Sequence, residues 1–325
     1  MWVKGEYFDD FDRAEIAARG VLDRDAQPRL FDRIAWFRAV WENAPVETRP
    51  MILRATAGKA QAWLFLTRGA NGVLYALTTP ESAAFRPIFV NADDATCPRL
   101  LFPLVRRLRQ LRGIVRVELP SVPVDDGSAE LLAQAFTRAG WAVRRRPGRV
   151  ALSGVAGELL PVPDDAPAPI ITQVPDTQSW NALTAGARAE ALAALDTLKA
   201  IAEQEGAAGT LRIGLLPASA AGDGCIAAQI WLVDRGHATL LHTTSPRGDV
   251  QAQKLLAAQL HNHGITHDGV TSFTANALFS GLSLPFLTTV QESENLSAYN
   301  GRRLANAGNV IAAKIENLVR SHRLN

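Results

Sequence analysis

At 325 residues the chain is long enough for two domains of ordinary size, and 47% hydrophobic with 20% charged residues excludes a disordered chain. No apolar run approaches the roughly 18 residues of a membrane span, and Met1-Trp2-Val3-Lys4-Gly5-Glu6 lacks the apolar core of a secretory signal. Two cysteines, Cys97 and Cys225, make neither a disulfide framework nor a zinc site, and a reducing cytoplasm is the natural setting. The net charge of +2 divides unevenly, with 23 basic against 18 acidic residues up to position 160 and 11 against 14 beyond it.

In chain order, residues 1–25 are mixed and charged and read as an irregular arm. Pro28 to Trp41 carries Leu30, Ile34, Phe37 and Val40 at helical spacing. Met51–Thr56, Gln61–Thr67 and Gly72–Leu77 read as strands separated by glycine turns. Thr79–Asp94 is irregular and contains Phe85-Arg86-Pro87-Ile88-Phe89. An amphipathic helix is predicted from Pro103 to Arg112, with Pro103 in its first turn. Ile114–Leu119 is a strand ended by Pro120, and Ser128–Ala139 a helix. Trp141–Val143 and Arg149–Leu152 are expected to pair with each other.

Pro161–Pro169 is rich in Pro, Asp and Ala and reads as a linker, which divides the chain into 1–160 and 170–325. Beyond it, Thr177–Ala185 and Arg188–Gln204 are helical and Leu211–Leu216 is a strand. Cys225–Val233 and His237–His242 are strands about an Asp234-Arg235-Gly236 turn. Val250–His263 is a helix, Gly269–Phe273 a strand, Ala277–Val290 an irregular apolar run, and Arg302–Arg320 a closing helix. Both parts run from a helix through antiparallel-looking strands to a helix and another strand. That order fits an α/β (α+β) architecture with a mixed sheet and helices on its faces, not a doubly wound one. No G-x-G-x-x-G or Walker sequence is present.

The chemistry gathers at the end of the 237–242 strand. Ser245-Pro246-Arg247-Gly248 precedes a helix start, where free backbone N–H groups and the helix dipole suit an anion. Ser245 can cap, and Arg247 can make charge-assisted bonds to phosphate. Asp249 would compete with phosphate there. His242 stands beside this loop, where an imidazole could serve as a general base. Gln229 and Trp231 share one face of their strand and could line an acceptor pocket, and Phe85 and Arg86 could reach the same cleft from the first part. His261, His263 and His267 do not share a helix face, so no metal site is expected. Arginines at 106–116 and 144–149 lack interleaved aromatics, which points away from nucleic acid.

Over Gly224–Gly264 the chain resembles the GNAT acyltransferase superfamily, and more narrowly its two-lobed FemAB- and CelD-like group. Ala228-Gln229-Ile230-Trp231, Gly236-His237-Ala238 and Ser245-Pro246 carry the likeness, and Ser179-Trp180-Asn181-Ala182-Leu183 is similar to the helix opening the second lobe. Residues 30–154 are similar to the first lobe in element order and in the Phe85–Phe89 segment. The resemblance implies two GNAT-like lobes, each a mostly antiparallel mixed sheet flanked by helices. It implies acyl transfer from acyl-CoA, as co-substrate and without a metal, to an amine or hydroxyl of a small-molecule or peptide acceptor. The donor would contact Thr243, Thr244, Ser245, Arg247, Gly248, Asp249 and Val250. With one glycine in that loop, a GNAT-shaped binding or scaffold protein is the alternative, and an aminoacyl-tRNA-dependent transferase is a third. The oligomeric state is not legible.

Overall fold

The computed structural model describes residues 2–27, 29–43, 48–69, 71–78, 85–148, 151–154, 162–173, 176–184, 189–205, 211–218, 225–234, 237–244, 250–262, 269–272 and 289–301. The predicted 302–320 helix and nearly all of the apolar run 277–290 lie outside them.

The opening residues are ordered. β1 (Lys4–Phe8) pairs antiparallel with β2 (Arg49–Ala57), and α1 (Phe11–Ala18) follows. Asp10 caps α1 by accepting the Asp12 N–H at 2.7 Å, and Phe11, Ala14 and Ala18 are buried one turn apart. The expected arm is therefore a strand and a helix, because this sparse apolar spacing is enough once a sheet covers it. The helix expected from Pro28 splits into a 3₁₀ turn (Leu30–Asp32) and α2 (Ile34–Glu42), with Arg33 extended between them.

β2, β3 (Ala60–Arg68) and β4 (Val73–Ala76) form the predicted meander, and β5 (Ile88–Val90) pairs with β3. α3 runs from Cys97 to Gln110, so Pro103 lies inside it and not in its first turn. An internal proline costs about 3 kcal/mol. Burying Leu100, Leu101, Leu104, Val105 and Leu108, at about 1.5–3 kcal/mol each, outweighs that cost. β6 (Arg116–Pro123) continues through Pro120, and α4 (Ser128–Arg138) and β7 (Ala142–Pro147) follow.

The expected pairing of the 141–143 and 149–152 segments is not made. β7 pairs with β15 (Ser293–Tyr299), while β8 (Ala151–Gly154) pairs with β13 (Gly269–Ser272) and β14 (Thr289–Gln291). The remaining elements are β9 (Ile170–Thr172), α5 (Thr177–Thr184), α6 (Ala189–Glu205), β10 (Leu211–Pro217), β11 (Cys225–Asp234), β12 (His237–Thr244) and α7 (Val250–Asn262).

Two sheets result. The first has the order β1-β2-β3-β4-β6-β15-β7, with β5 attached to β3, and the second β14-β8-β13-β12-β11-β10-β9. Each contains five strands in chain order, then a strand lent by the other part of the chain, then its own last strand. In each, the fourth and fifth strands are parallel, β4 with β6 and β12 with β13, and a helix lies between them in the chain. The crossing point is tight: the Gly148 N–H donates to the Ser293 carbonyl at 2.8 Å.

One core joins both sheets. It holds Phe11, Trp36, Phe37 and Phe65 together with Leu195, Leu198, Ile213 and Ile230, and α2 packs on α6. A second core lies beneath α3 and α4, and a third between α7 and the second sheet.

Candidate functional site

The described parallel register of β12 with β13 runs from His237 opposite Gly269 to Leu240 opposite Ser272, the last described residue of β13, and β12 continues through Leu241-His242-Thr243-Thr244. On its other side β12 stays paired with β11, but the register shifts: Ile230 faces His242 and Trp231 faces Leu240, so Leu241 is an extra residue. Such a bulge turns the strand and frees backbone groups from the ladder. α7 begins six residues after β12 ends and is held on the sheet by Ala252, Leu256, Ala257 and Leu260, packed against Leu216, Ala227, Trp231 and Leu240.

Four sequence-predicted residues lie along the paired strands β11 and β12 around the bulge. Gln229 and Trp231 share a face, as their spacing predicts, with the Trp231 Nε1–H donating to Gln229 Oε1 at 3.0 Å. Both are fully buried. Thr243 lies opposite Gln229 in register and on its face, while His242 lies opposite Ile230 on the other. His242 Nε2 and Thr243 Oγ1 are buried with no hydrogen-bond partner among the described residues. Two such orphans at one strand end are unusual, since buried polar atoms are nearly always paired. Burial holds the His242 imidazole at about 4, so the ring is neutral at physiological pH.

Thr244 ends β12 opposite Ala228, and Val250 opens α7. Ser245, Arg247, Gly248 and Asp249 lie outside the described residues.

Phe85 and Arg86 lie elsewhere. Phe85 is buried in the core beneath α3 and α4. Arg86 lines a cavity of about 370 Å³ beside the first sheet, with its Nη1 3.1 Å from Asp126 Oδ2. Asp32, Asp94 and Cys97 line the same cavity. These residues come from distant parts of the sequence, and no local motif joins them. Among the described residues, no group of three or more His, Cys, Asp or Glu side chains could hold a metal ion, and no helix is long and apolar enough to cross a membrane.

No protein-family model matches the chain, and no curated protein matches it. Solved structures do. A tandem GNAT protein from the clavulanic acid biosynthesis pathway, in its form without AcCoA, is similar over 91% of this chain and 98% of its own, at 13% identity and a TM-score of 0.51. A GCN5-related N-acetyltransferase from Sphaerobacter thermophilus is similar over 90% and 95%, at 10% identity and 0.42. One from Kribbella flavida is similar over 78% and 91%, at 15% identity and 0.38. Identities this low speak to the fold alone, and the first alignment is the one that carries it. With two mixed sheets of matching strand order, each flanked by helices, the chain has the fold of a tandem GNAT protein.

Proposed function

We propose that this chain is an acyltransferase that moves an acyl group from acyl-CoA to an amine or hydroxyl of a small-molecule or peptide acceptor. The observation that carries the reading is the bulge at Leu241 near the end of β12, on the strand that leads into α7, with His242 Nε2 and Thr243 Oγ1 buried without a hydrogen-bond partner beside it. A thioester arm laid along the end of β12 would take up backbone groups that the bulge frees from the ladder. Its pyrophosphate would meet the N-terminus of α7, with Ser245, Arg247 and Gly248 around it and Thr243, Thr244, Asp249 and Val250 flanking. The working unit would be two lobes, 1–160 and 170–325, about the 161–169 linker, in a cytoplasmic protein of the FemAB- and CelD-like group.

The chemistry asks little of side chains. The acceptor nitrogen or oxygen attacks the thioester carbonyl, the developing oxyanion is met by backbone N–H groups, the C–S bond breaks as the carbonyl re-forms, and the proton lost by the acceptor is taken up by the departing CoA thiolate. His242 is a poor proton acceptor for an ammonium, because a pKa of about 4 makes that transfer steeply uphill. We assign it instead to positioning, as a neutral ring able to hydrogen-bond a ligand held at the end of β12. Gln229 and Trp231 hold the floor of the strand on the opposite face.

The test is a thermal-shift titration with CoA, acetyl-CoA and longer acyl-CoAs. A ligand of the folded state raises the midpoint by mass action. The reading expects a saturable rise that disappears in Arg247→Ala. No rise with any thioester at about 1 mM would leave the chain a GNAT-shaped binding protein without a CoA site.

A further inference from the structure

α3 carries Arg99, Arg106, Arg107 and Arg109 and no acidic residue. Several other arginines of the first part are answered by carboxylates, as Arg38 is by Asp12 and Glu15 and Arg145 by Glu130 and Glu294. Arg99 near the start of α3 and Arg138 at the end of α4 are exposed and are not so answered. Neither makes a hydrogen bond or an ion pair with a carboxylate among the described residues. The carboxylate that Arg99 influences is Asp93, which is already engaged by Thr96, whose N–H donates to Asp93 Oδ1 at 2.8 Å.

Both arginines line one recess, of about 350 Å³, a volume in the range of small-molecule sites. Its apolar wall comes from three distant places: Val3 ahead of β1, Ala57 at the end of β2 and Phe102 of α3. Val3 and Phe102 are half-buried, resting on the core beneath α3 and α4 and turning their remaining surface to the recess. The charged and apolar parts are contiguous. Arg99 and Phe102 are three residues apart on α3 and so share a face. The Arg138 guanidinium carbon lies 4.9 Å from the centre of the Phe102 ring. A cation held over a ring keeps its place without a carboxylate, and its N–H donors stay available. The arrangement selects a class of ligand. A guanidinium fork suits a carboxylate or a phosphate. A bare inorganic anion would leave Val3, Ala57 and Phe102 wet, so the body that fits is apolar. A single-stranded nucleic acid suits it poorly, because bases stack on open aromatic faces and Arg138 already lies over the Phe102 ring.

We infer that this recess binds a small organic anion, a carboxylate or phosphate ester with an apolar body, its charge met by Arg99 and Arg138 and its body seated against Val3, Ala57 and Phe102. The inference stands apart from the acyl-transfer reading, because it concerns the outer side of α3 and α4 and not the end of β12.

The test is calorimetric titration of the full chain at constant ionic strength. 2-Naphthoate and 2-naphthyl phosphate are the probes, 2-naphthamide is the neutral counterpart, and acetate and inorganic phosphate are the bare anions. At least one naphthyl anion is expected to bind at a single site with a Kd below about 1 mM, and which of the two binds more tightly tells carboxylate from phosphate. The amide and the bare anions are expected to bind at least about tenfold more weakly. Arg138→Met keeps apolar packing on Phe102 and removes the charge, and Arg99→Gln removes the other. Each is expected to raise the Kd of the preferred probe about tenfold with the melt unchanged, since both side chains are exposed. Saturating acetyl-CoA is expected to leave the titration as it is. No binding of either naphthyl anion at about 10 mM, an amide that binds as well as the carboxylate, or binding that survives in both variants would overturn the inference. Displacement by acetyl-CoA would overturn it too, and would make the recess the acyl-CoA site.

Discussion

His242 shows what one side chain's surroundings do to its chemistry. The strand that ends beside the α7 loop is legible in the sequence, and so is the histidine at its end. Its protonation state is not, because that depends on what covers the ring. The folded imidazole titrates near 4 and the free one near 6.5. Between those values the unfolded chain takes up a proton that the folded chain refuses. Stability is therefore complete above about pH 6.5 and falls as pH drops toward 4. Replacing His242 with Gln is expected to remove this share of acid loss, on the order of 2 kcal/mol, in urea unfolding compared at pH 7 and pH 4. Equal acid loss in both proteins would show that the ring is not held neutral. Asp32 makes the converse case. Burial raises its folded pKa, so its ionised form weakens the fold as pH rises through that window. Asp32→Asn should therefore leave the midpoint at pH 7 unchanged or raise it; a fall would mean that attraction to Arg86 dominates.

Between elements, tight approaches decide what the chain tolerates. A Cβ at Gly148 would lie 2.5 Å from Ser293 Oγ and 3.0 Å from the Ser293 carbonyl oxygen, so the crossing of the two exchanged segments admits no side chain there. Gly148→Ala is expected to cost about 1–3 kcal/mol by denaturant titration, as overpacking against backbone does. Gly214 is similar beneath α7, where a Cβ would meet Leu260 Cδ1 at 2.5 Å. Most elements were legible in the sequence, because strands β2 to β4 and β10 to β12 are apolar runs bounded by turn residues, α4 repeats its apolar residues at helical spacing, and α6 is rich in the helix formers Ala and Leu. The misses share a cause. β15 reads Ser-Glu-Asn-Leu-Ser-Ala-Tyr, and only Leu296 and Ala298 face the core, so its apolar signal is weak. Its place is fixed by neighbours from distant sequence: Arg145 reaches both Glu294 and Glu130 at 2.6 Å, tying β7 to β15 and α4. Pro103 misled in the opposite sense, since local helix chemistry was overruled by five buried side chains.

The whole molecule turns on exchange. A linker at 161–169 suggests two separable halves, but β8 lies in the second sheet and β15 in the first. Among the described residues, β7 has β15 as its sheet partner. A fragment of residues 1–160 would leave the first sheet without β15, with β6 exposed on that edge. It is expected to show no cooperative unfolding of its own, whereas the full chain melts in one transition that involves both sheets through their shared core. A sharp melt of the isolated fragment would mean that the borrowed strand is dispensable. The repeated strand order sets α3 and α7 alike, each between two parallel strands in the chain, and the residues before them make them unequal: Asp93 and Asp94 precede α3, and Ser245 and Arg247 precede α7 in the sequence. The sequence showed the loop before α7, while the cavity lined by residues 32, 94, 97 and 126 emerged only once the fold brought them together. Hydrogen–deuterium exchange with and without acetyl-CoA tests this most directly. The account predicts slowed exchange in peptides spanning β12 to the first turns of α7, and none across β5 to the start of α3. Protection at α3, or at neither place, would contradict it.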